Sequence, residues 1–169
     1  MIRRPISLLL LRQSRSQRAY FAIFISSPID PNIGNLINVV GAPMTGYKHV
    51  FEHGYRLSLE TQSYELVPLG HVDRVHIANL PADADAVRST GDEPCGDIEV
   101  AAVEVPAPGV SEVFMAPVND TTNRRRQEWM MEYIRHLVAK GFIDAHAIEI
   151  VQSKRDPPDF GIDLRPVAR

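Results

Sequence analysis

An α+β fold, with a small antiparallel sheet packed on one main helix at residues ~120–140, follows from three features of the sequence. Short aliphatic and β-branched runs separated by turn residues fill positions 6–69 and predict strand hairpins. Trp129, Met130, Tyr133, Ile134, Leu137 and Val138 recur at helical spacing and predict an amphipathic helix. With 169 residues, 44% of them hydrophobic, the chain 1–169 suits a single domain with its own core.

Taken in order, residues 6–11 and 20–25 flank the polar turn Gln13-Ser14-Arg15-Ser16-Gln17 and predict a first hairpin. Residues 36–40 and 47–55 predict a second, joined by Gly41-Ala42-Pro43-Met44-Thr45-Gly46, which has strong turn chemistry. A fifth strand is expected at 65–69, ended by Pro68 and Gly70. Residues 71–91 mix Val72, Val75, Ile77 and Leu80 with Pro81-Ala82-Asp83-Ala84-Asp85 and suggest one or two short helical turns. From Gly91 to Gly109 the breakers point to an irregular connection holding a short extended piece at 98–103, and 111–118 leads into the helix. That helix can draw a cap from Asn119-Asp120-Thr121-Thr122-Asn123 and has Gly141, after Lys140, as its stop. Residues 145–151 fit a second short helix or a strand, and the tail, 152–169, is Pro-rich and expected to cross the surface.

Eighteen Lys and Arg against 21 Asp and Glu give a formal net charge of -3. No general basic surface results, so nucleic acid is not an expected partner. No apolar run approaches a membrane span. The one cysteine, Cys95, excludes an internal disulfide and a cysteine-based zinc site, and makes a reducing, cytoplasmic setting the expectation. Its acidic neighbours Asp92, Glu93 and Asp97 disfavour a thiolate nucleophile. The amino terminus, Arg3-Arg4 followed by an apolar run and then Arg12, Arg15 and Arg18, is too short in its apolar part for a secretion signal. A mitochondrial presequence is the alternative to reading it as a strand.

Arg124-Arg125-Arg126 stand where a helix begins, beside unpaired N–H groups that prefer anions. Each cation there costs roughly 0.3–1 kcal/mol. Arg124 and Arg125 are expected to reach into solvent. Arg126 opens the apolar stripe, with Trp129 at i+3, Met130 at i+4 and Tyr133 at i+7, so it should face the core or a cleft.

His49-Val50-Phe51-Glu52-His53 matches the H-x-x-E-H pattern of inverted zinc peptidases. That chemistry needs a helix, and the short aromatic and β-branched segment between Gly46 and Gly54 predicts a strand, so no metal is expected. On a strand, Tyr47, His49, Phe51, His53 and Tyr55 share one side, which is either an ordinary sheet face or one wall of a ligand pocket. His71 and His76 could supply a base but are more simply structural. There is no G-x-S-x-G and no Gly-rich phosphate loop, and Pro43 removes a donor from the 41–46 turn, so no cofactor is expected.

The order of R-A-Y-F-A-I-F-I (18–25), I-N-V-V-G (37–41) and a helix opening R-Q-E-W (126–129) resembles a family of small fungal proteins of unassigned function. That family is taken to consist of circularly permuted papain-like cysteine hydrolases, related in outline to lecithin-retinol-acyltransferase-type folds. The resemblance covers residues 6–143. It implies a permuted papain-like fold in which a His on an early strand pairs with a Cys at the start of a later helix, in an N-C-x-x-W context. Here Tyr20 stands at the His position, and Arg126, three residues before Trp129, at the Cys position. The thiolate–imidazole pair is missing, so thiol hydrolysis by that route is not expected.

The resulting expectation is a dyad-less protein, a pseudoenzyme, that binds an anionic or carboxylate-bearing small molecule in the former active-site cleft. Its pocket would be walled by Tyr20, His49, His53 and Trp129, with Arg126, Gln127, Trp129 and Tyr47 binding the ligand. A second expectation is a secondary-metabolism cyclase, isomerase or lyase, with His49 or His53 as base, Tyr20 as acid and Arg126 stabilising negative charge. A third is a protein-interaction module or a structural homo-oligomer, in which Arg124 to Arg126 would pair with an acidic partner and the tail from Pro157 to Arg169 would strap across a neighbour.

Overall fold

In the computed structural model, which describes residues 3–77, 89–113 and 115–160, the apolar runs pair into one antiparallel sheet. Strands β1 (Arg3–Leu11) and β2 (Tyr20–Ser26) form the first hairpin, with Leu11 opposite Tyr20. Strands β3 (Ile33–Ala42) and β4 (Gly46–Arg56) form the second, with Ala42 opposite Gly46. With β5 (Tyr64–Asp73) and β6 (Ser89–Gly91), the order across the sheet is β5-β1-β2-β3-β4-β6. Helices α1 (Asp97–Val103), α2 (Arg126–Ala139) and α3 (His146–Lys154) complete an α+β chain.

The main core lies between one sheet face and the helices. Ile6, Leu8, Phe21, Ile23, Ile37 and Phe51 meet Ile98 of α1, Trp129, Tyr133 and Leu137 of α2, and Val151 of α3. A smaller cluster of Leu9, Ala22, Phe24, Leu36, Tyr55 and Leu57 fills the opposite face. The central strands are buried on both sides, and their near-continuous apolar runs reflect this. No helix among the described residues is long and apolar enough to cross a membrane.

Several elements differ from the sequence expectation for identifiable reasons. Strand β5 runs through Pro68 and Gly70 instead of ending there. It is an edge strand, where a missing donor is tolerated, and a register shift between Ile6 and Ser7 leaves Leu69 as the extra residue of a bulge. Residues 98–103 are helical, not extended: Ile98, Ala101, Ala102 and Val105 fall on one buried face, and Asp97 and Glu99 occupy the favourable first turn. The predicted irregular stretch also begins in β6, which pairs with β4. One of the expected helical turns is the 3-10 turn Arg74–His76, while residues 78–88 and the tail beyond 160 lie outside the described residues. Residues 146–154 resolve the helix-or-strand ambiguity as α3.

Helix α2 starts at Arg126, later than the Asn119–Asn123 caps suggested. Asn119 builds a turn of its own, its Oδ1 accepting the N–H groups of Thr121 and Thr122 at 2.8 and 2.7 Å. The helix is capped instead by Glu128, whose Oε1 accepts the Arg125 N–H at 3.1 Å. Gly141, at φ 78, closes its C-terminus.

Strand β4 does not keep its five odd-numbered side chains on one face. Gly34 pairs with Tyr55 but Leu36 pairs with Glu52, so His53 and Gly54 both stand opposite Asn35. Gly54 has φ 73, the left-handed conformation of a bulge glycine. The extra residue turns Tyr55 to the far face, where it packs edge-on against Phe24. A Gly54→Val variant should lose about 1–2 kcal/mol, because a β-branched side chain is poorly tolerated there. Urea unfolding monitored by circular dichroism measures that loss.

Candidate functional site

The sheet splits where β2 begins. Strands β1 and β2 are paired down to Leu11 and Tyr20, and β3 and β4 to Ala42 and Gly46, but the β2–β3 ladder stops at Ile23 and Ile37. The Ile33 carbonyl accepts the Ser27 N–H across that ladder, so odd-numbered carbonyls of β3 face β2. Beyond Ile37 these carbonyls lack a strand partner, and the guanidinium of Arg126 takes the vacated position. Its Nε donates to Val39 O at 3.1 Å and its Nη2 to Gly41 O at 3.3 Å. The Tyr20 ring lies 4.3 Å from the guanidinium carbon and the Tyr47 ring 5.4 Å, both within cation–π range.

A cleft of about 470 Å³ opens over this fork. Its walls come from the β1–β2 turn, the β3–β4 turn, the start of α2 and the segment after β4, which contributes Glu60 and Gln62. The β3–β4 turn is held by the loop before α2, through Tyr47 N–H to Pro108 O at 2.8 Å and Ser111 N–H to Pro43 O at 2.7 Å. Beneath Tyr20, the buried Asn38 amide hydrogen-bonds the phenol oxygen. Burial raises the pKa of Tyr20, opposed by the charge of Arg126, and Tyr47 shifts up for the same first reason. Both phenols keep their protons at neutral pH and serve as uncharged donors.

Behind the cleft, a buried polar network fixes the start of α2. Glu128 is fully buried, and its Oε2 accepts Arg18 at 3.0 Å and Arg155 at 2.9 Å. Burial lowers the pKa of Arg18, while Glu128 and Asp156 hold it up. Gln127 donates to Ala19 O and to Asp156 Oδ2, each at 2.9 Å, and its Oε1 accepts the Asp156 N–H at 2.9 Å. Asp156 also accepts the Ala19 N–H at 2.8 Å and Arg12 at 3.0 Å. The first residues after α3 thus bind the β1–β2 turn to α2.

Burial alone would raise the Asp156 carboxyl pKa, but the Ala19 N–H, the Gln127 amide and Arg12 bring it below the usual 3.8. A depressed folded-state value contributes stability in full above the unfolded value, and that contribution is lost as pH falls through the folded one. An Asp156→Asn variant should therefore lose about 1–2 kcal/mol at neutral pH and show a shallower decline below about pH 4. Urea midpoints between pH 3 and 7 measure both.

Of the residues singled out in the sequence, the cleft brings together Arg126, Tyr20, Tyr47 and Gln127. Gln127 is 1% exposed and its amide is committed to the internal network. Trp129 is not a cleft wall: it is fully buried, donates Nε1–H to Val105 O at 2.9 Å and stacks on Tyr133 at 5.0 Å. His49 Nε2 also bonds Val105 O, at 2.8 Å, and His53 Nε2 bonds the buried Glu99 at 2.8 Å, so both histidines join the sheet to α1 and the residues after it. They share a face with Tyr47, but a strand advances about 3.3 Å per residue, which carries His53 about 20 Å along β4. Neither histidine lines the cleft.

The arginines before the helix are also less exposed than their position suggested. Arg124 pairs with Glu132 at 2.9 Å, and half-buried Arg125 lines the cleft, where burial lowers its pKa. Arg18, Glu60 and Gln62 were missed as site residues. The run Arg12, Arg15, Arg18 carried a signal for the first; nothing local marks the other two. Cys95 is an exposed free thiol.

Residues 6–144 match the model of a family of unknown function, DUF6540. No curated protein and no solved structure matches the chain.

Proposed function

We propose that this chain, which belongs to the DUF6540 family of unknown function, binds a small carboxylate-bearing molecule in the cleft over Arg126. In this reading the scaffold is a permuted papain-like fold whose cysteine and histidine positions carry Arg126 and Tyr20. The observation that supports it most is the state of Arg126: among the described residues it forms no ion pair, although it lines a cleft. A guanidinium has five N–H donors, and the Val39 and Gly41 carbonyls take two. The rest suit a carboxylate, whose paired oxygens match the fork of the group. Arg125 adds positive charge to the same cleft, and two protonated phenols flank it.

Acid–base catalysis through His49 or His53 lacks comparable support, because both rings are engaged with α1 and the residues after it, outside the cleft.

Titration calorimetry with acetate, propionate, butyrate and succinate tests the binding reading. Wild-type protein should bind at least one of them, and Arg126→Gln should weaken that binding about 10- to 100-fold, the worth of a charge-assisted hydrogen bond. Equal affinity in a folded Arg126→Gln variant would remove the proposal.

A further inference from the structure

Among the described residues, Arg126 is not the only charge in the cleft without an ion-pair partner. Glu60, after the 3-10 turn Leu57–Leu59, lines another wall. Its Oε2 accepts the Tyr55 hydroxyl at 2.5 Å and its Oε1 the Gln62 N–H at 3.1 Å, which fix the carboxylate in place. Among the described residues no cation lies within ion-pair distance of Glu60, Arg126 included, so the two charges are more than 4.0 Å apart. One cleft of about 470 Å³ therefore holds a fixed positive pole and a fixed negative pole that do not neutralise each other.

A ligand with one charge satisfies only half of this arrangement. A monocarboxylate on Arg126 would bury apolar atoms against Glu60 and strip water from it without replacement. A dicarboxylate would bring like charge to Glu60, which is unfavourable. A molecule with a carboxylate at one end and an ammonium at the other meets both poles, and the positions of both are set before it arrives.

We infer that the ligand is a small zwitterion, an amino acid or ω-amino acid, whose carboxylate binds Arg126 and whose ammonium binds Glu60. The inference rests on the carboxylate-binding reading above and narrows it to a ligand class.

The test is calorimetry at low ionic strength with the ω-amino carboxylates from glycine to 6-aminohexanoate, each beside the monocarboxylate and dicarboxylate of matching length. At the chain length that spans the poles, the amino acid should bind about tenfold or more tightly than either counterpart, the worth of one charge-assisted contact. Glu60→Gln should abolish that preference while keeping carboxylate binding, and Arg126→Gln should abolish both. Glu60→Asp, a milder change, should move the preferred length up by about one methylene. If a monocarboxylate or dicarboxylate binds as tightly as the amino acid in an Arg126-dependent way, the zwitterion is overturned and the carboxylate reading stands. If none of the three series binds, both fall.

Discussion

Trp129→Ala is expected to cost about 3–5 kcal/mol, the largest loss from any single substitution considered for this chain. The indole is fully buried at the first turn of α2, between His49 of β4, 5.8 Å away edge-on, and Tyr133, 5.0 Å away and nearly parallel. Truncation opens a cavity that these rigid rings cannot close, and it leaves the Val105 carbonyl with the His49 imidazole as its remaining side-chain donor. Against a typical total of 5–15 kcal/mol, such a loss approaches global unfolding. Trp129→Phe should recover part of it, because a six-membered ring refills much of the space, although the second ring and its Nε1–H donor are lost. Urea denaturation followed by far-ultraviolet circular dichroism ranks the three proteins, and a change of less than about 1 kcal/mol for alanine would contradict the packing described.

Glu128→Gln is expected to cost about 3 kcal/mol, although it exchanges a single heavy atom. The carboxylate is fully buried and serves three donors at once: the Arg18 and Arg155 guanidinium groups and the N–H of Arg125 at the helix cap. An amide of the same shape would present its own NH₂ to one of these donors and leave two cations close together with reduced compensation. Arg18 has a 9% exposed side chain, so solvent offers it little relief. Arg155 has an exposure of 19% and can turn outward, which keeps the expected figure at the low end for buried pairs. A double-mutant cycle of Glu128→Gln with Arg155→Gln should show strong coupling, and additivity would mean that the pair is not the origin of the loss.

The parts of the fold legible in the sequence are those whose cause is local. Both hairpins follow from apolar runs around polar turns, and the core face of α2 follows from the spacing of Trp129, Met130, Tyr133, Ile134 and Leu137. Helix α1 was not legible because Ile98-Glu99-Val100-Ala101-Ala102-Val103 is short and its apolar positions suit both periods. Pro68 ends a central strand but not an edge strand, and edge position is a property of the assembled sheet. Gly54 was visible as a breaker, yet nothing in the sequence says that it bulges instead of ending β4.

The site divides along the same line. Arg126 is marked by its place at the head of the apolar stripe, whereas nothing local marks its neighbour across the fork, Tyr20. His49 and His53 misled because alternation fixes which face a side chain takes but not which partner it meets there, and here the Val105 carbonyl engages His49 and Glu99 engages His53. The polar network of Arg18, Glu128, Gln127, Arg155 and Asp156 joins segments more than a hundred residues apart, through contacts that no periodicity encodes.

The guanidinium lodged between β2 and β3 also bears on association between molecules. A gap inside a sheet displays a row of bare acceptors, and an extended segment of another chain can enter such a row by adding itself to the ladder. In this chain the Val39 and Gly41 carbonyls are already occupied by Arg126. The intruder would have to expel a charged plug held between two tyrosine rings. A lysine could not plug the gap equally well, since a single ammonium cannot span two carbonyls while lying flat against aromatic faces.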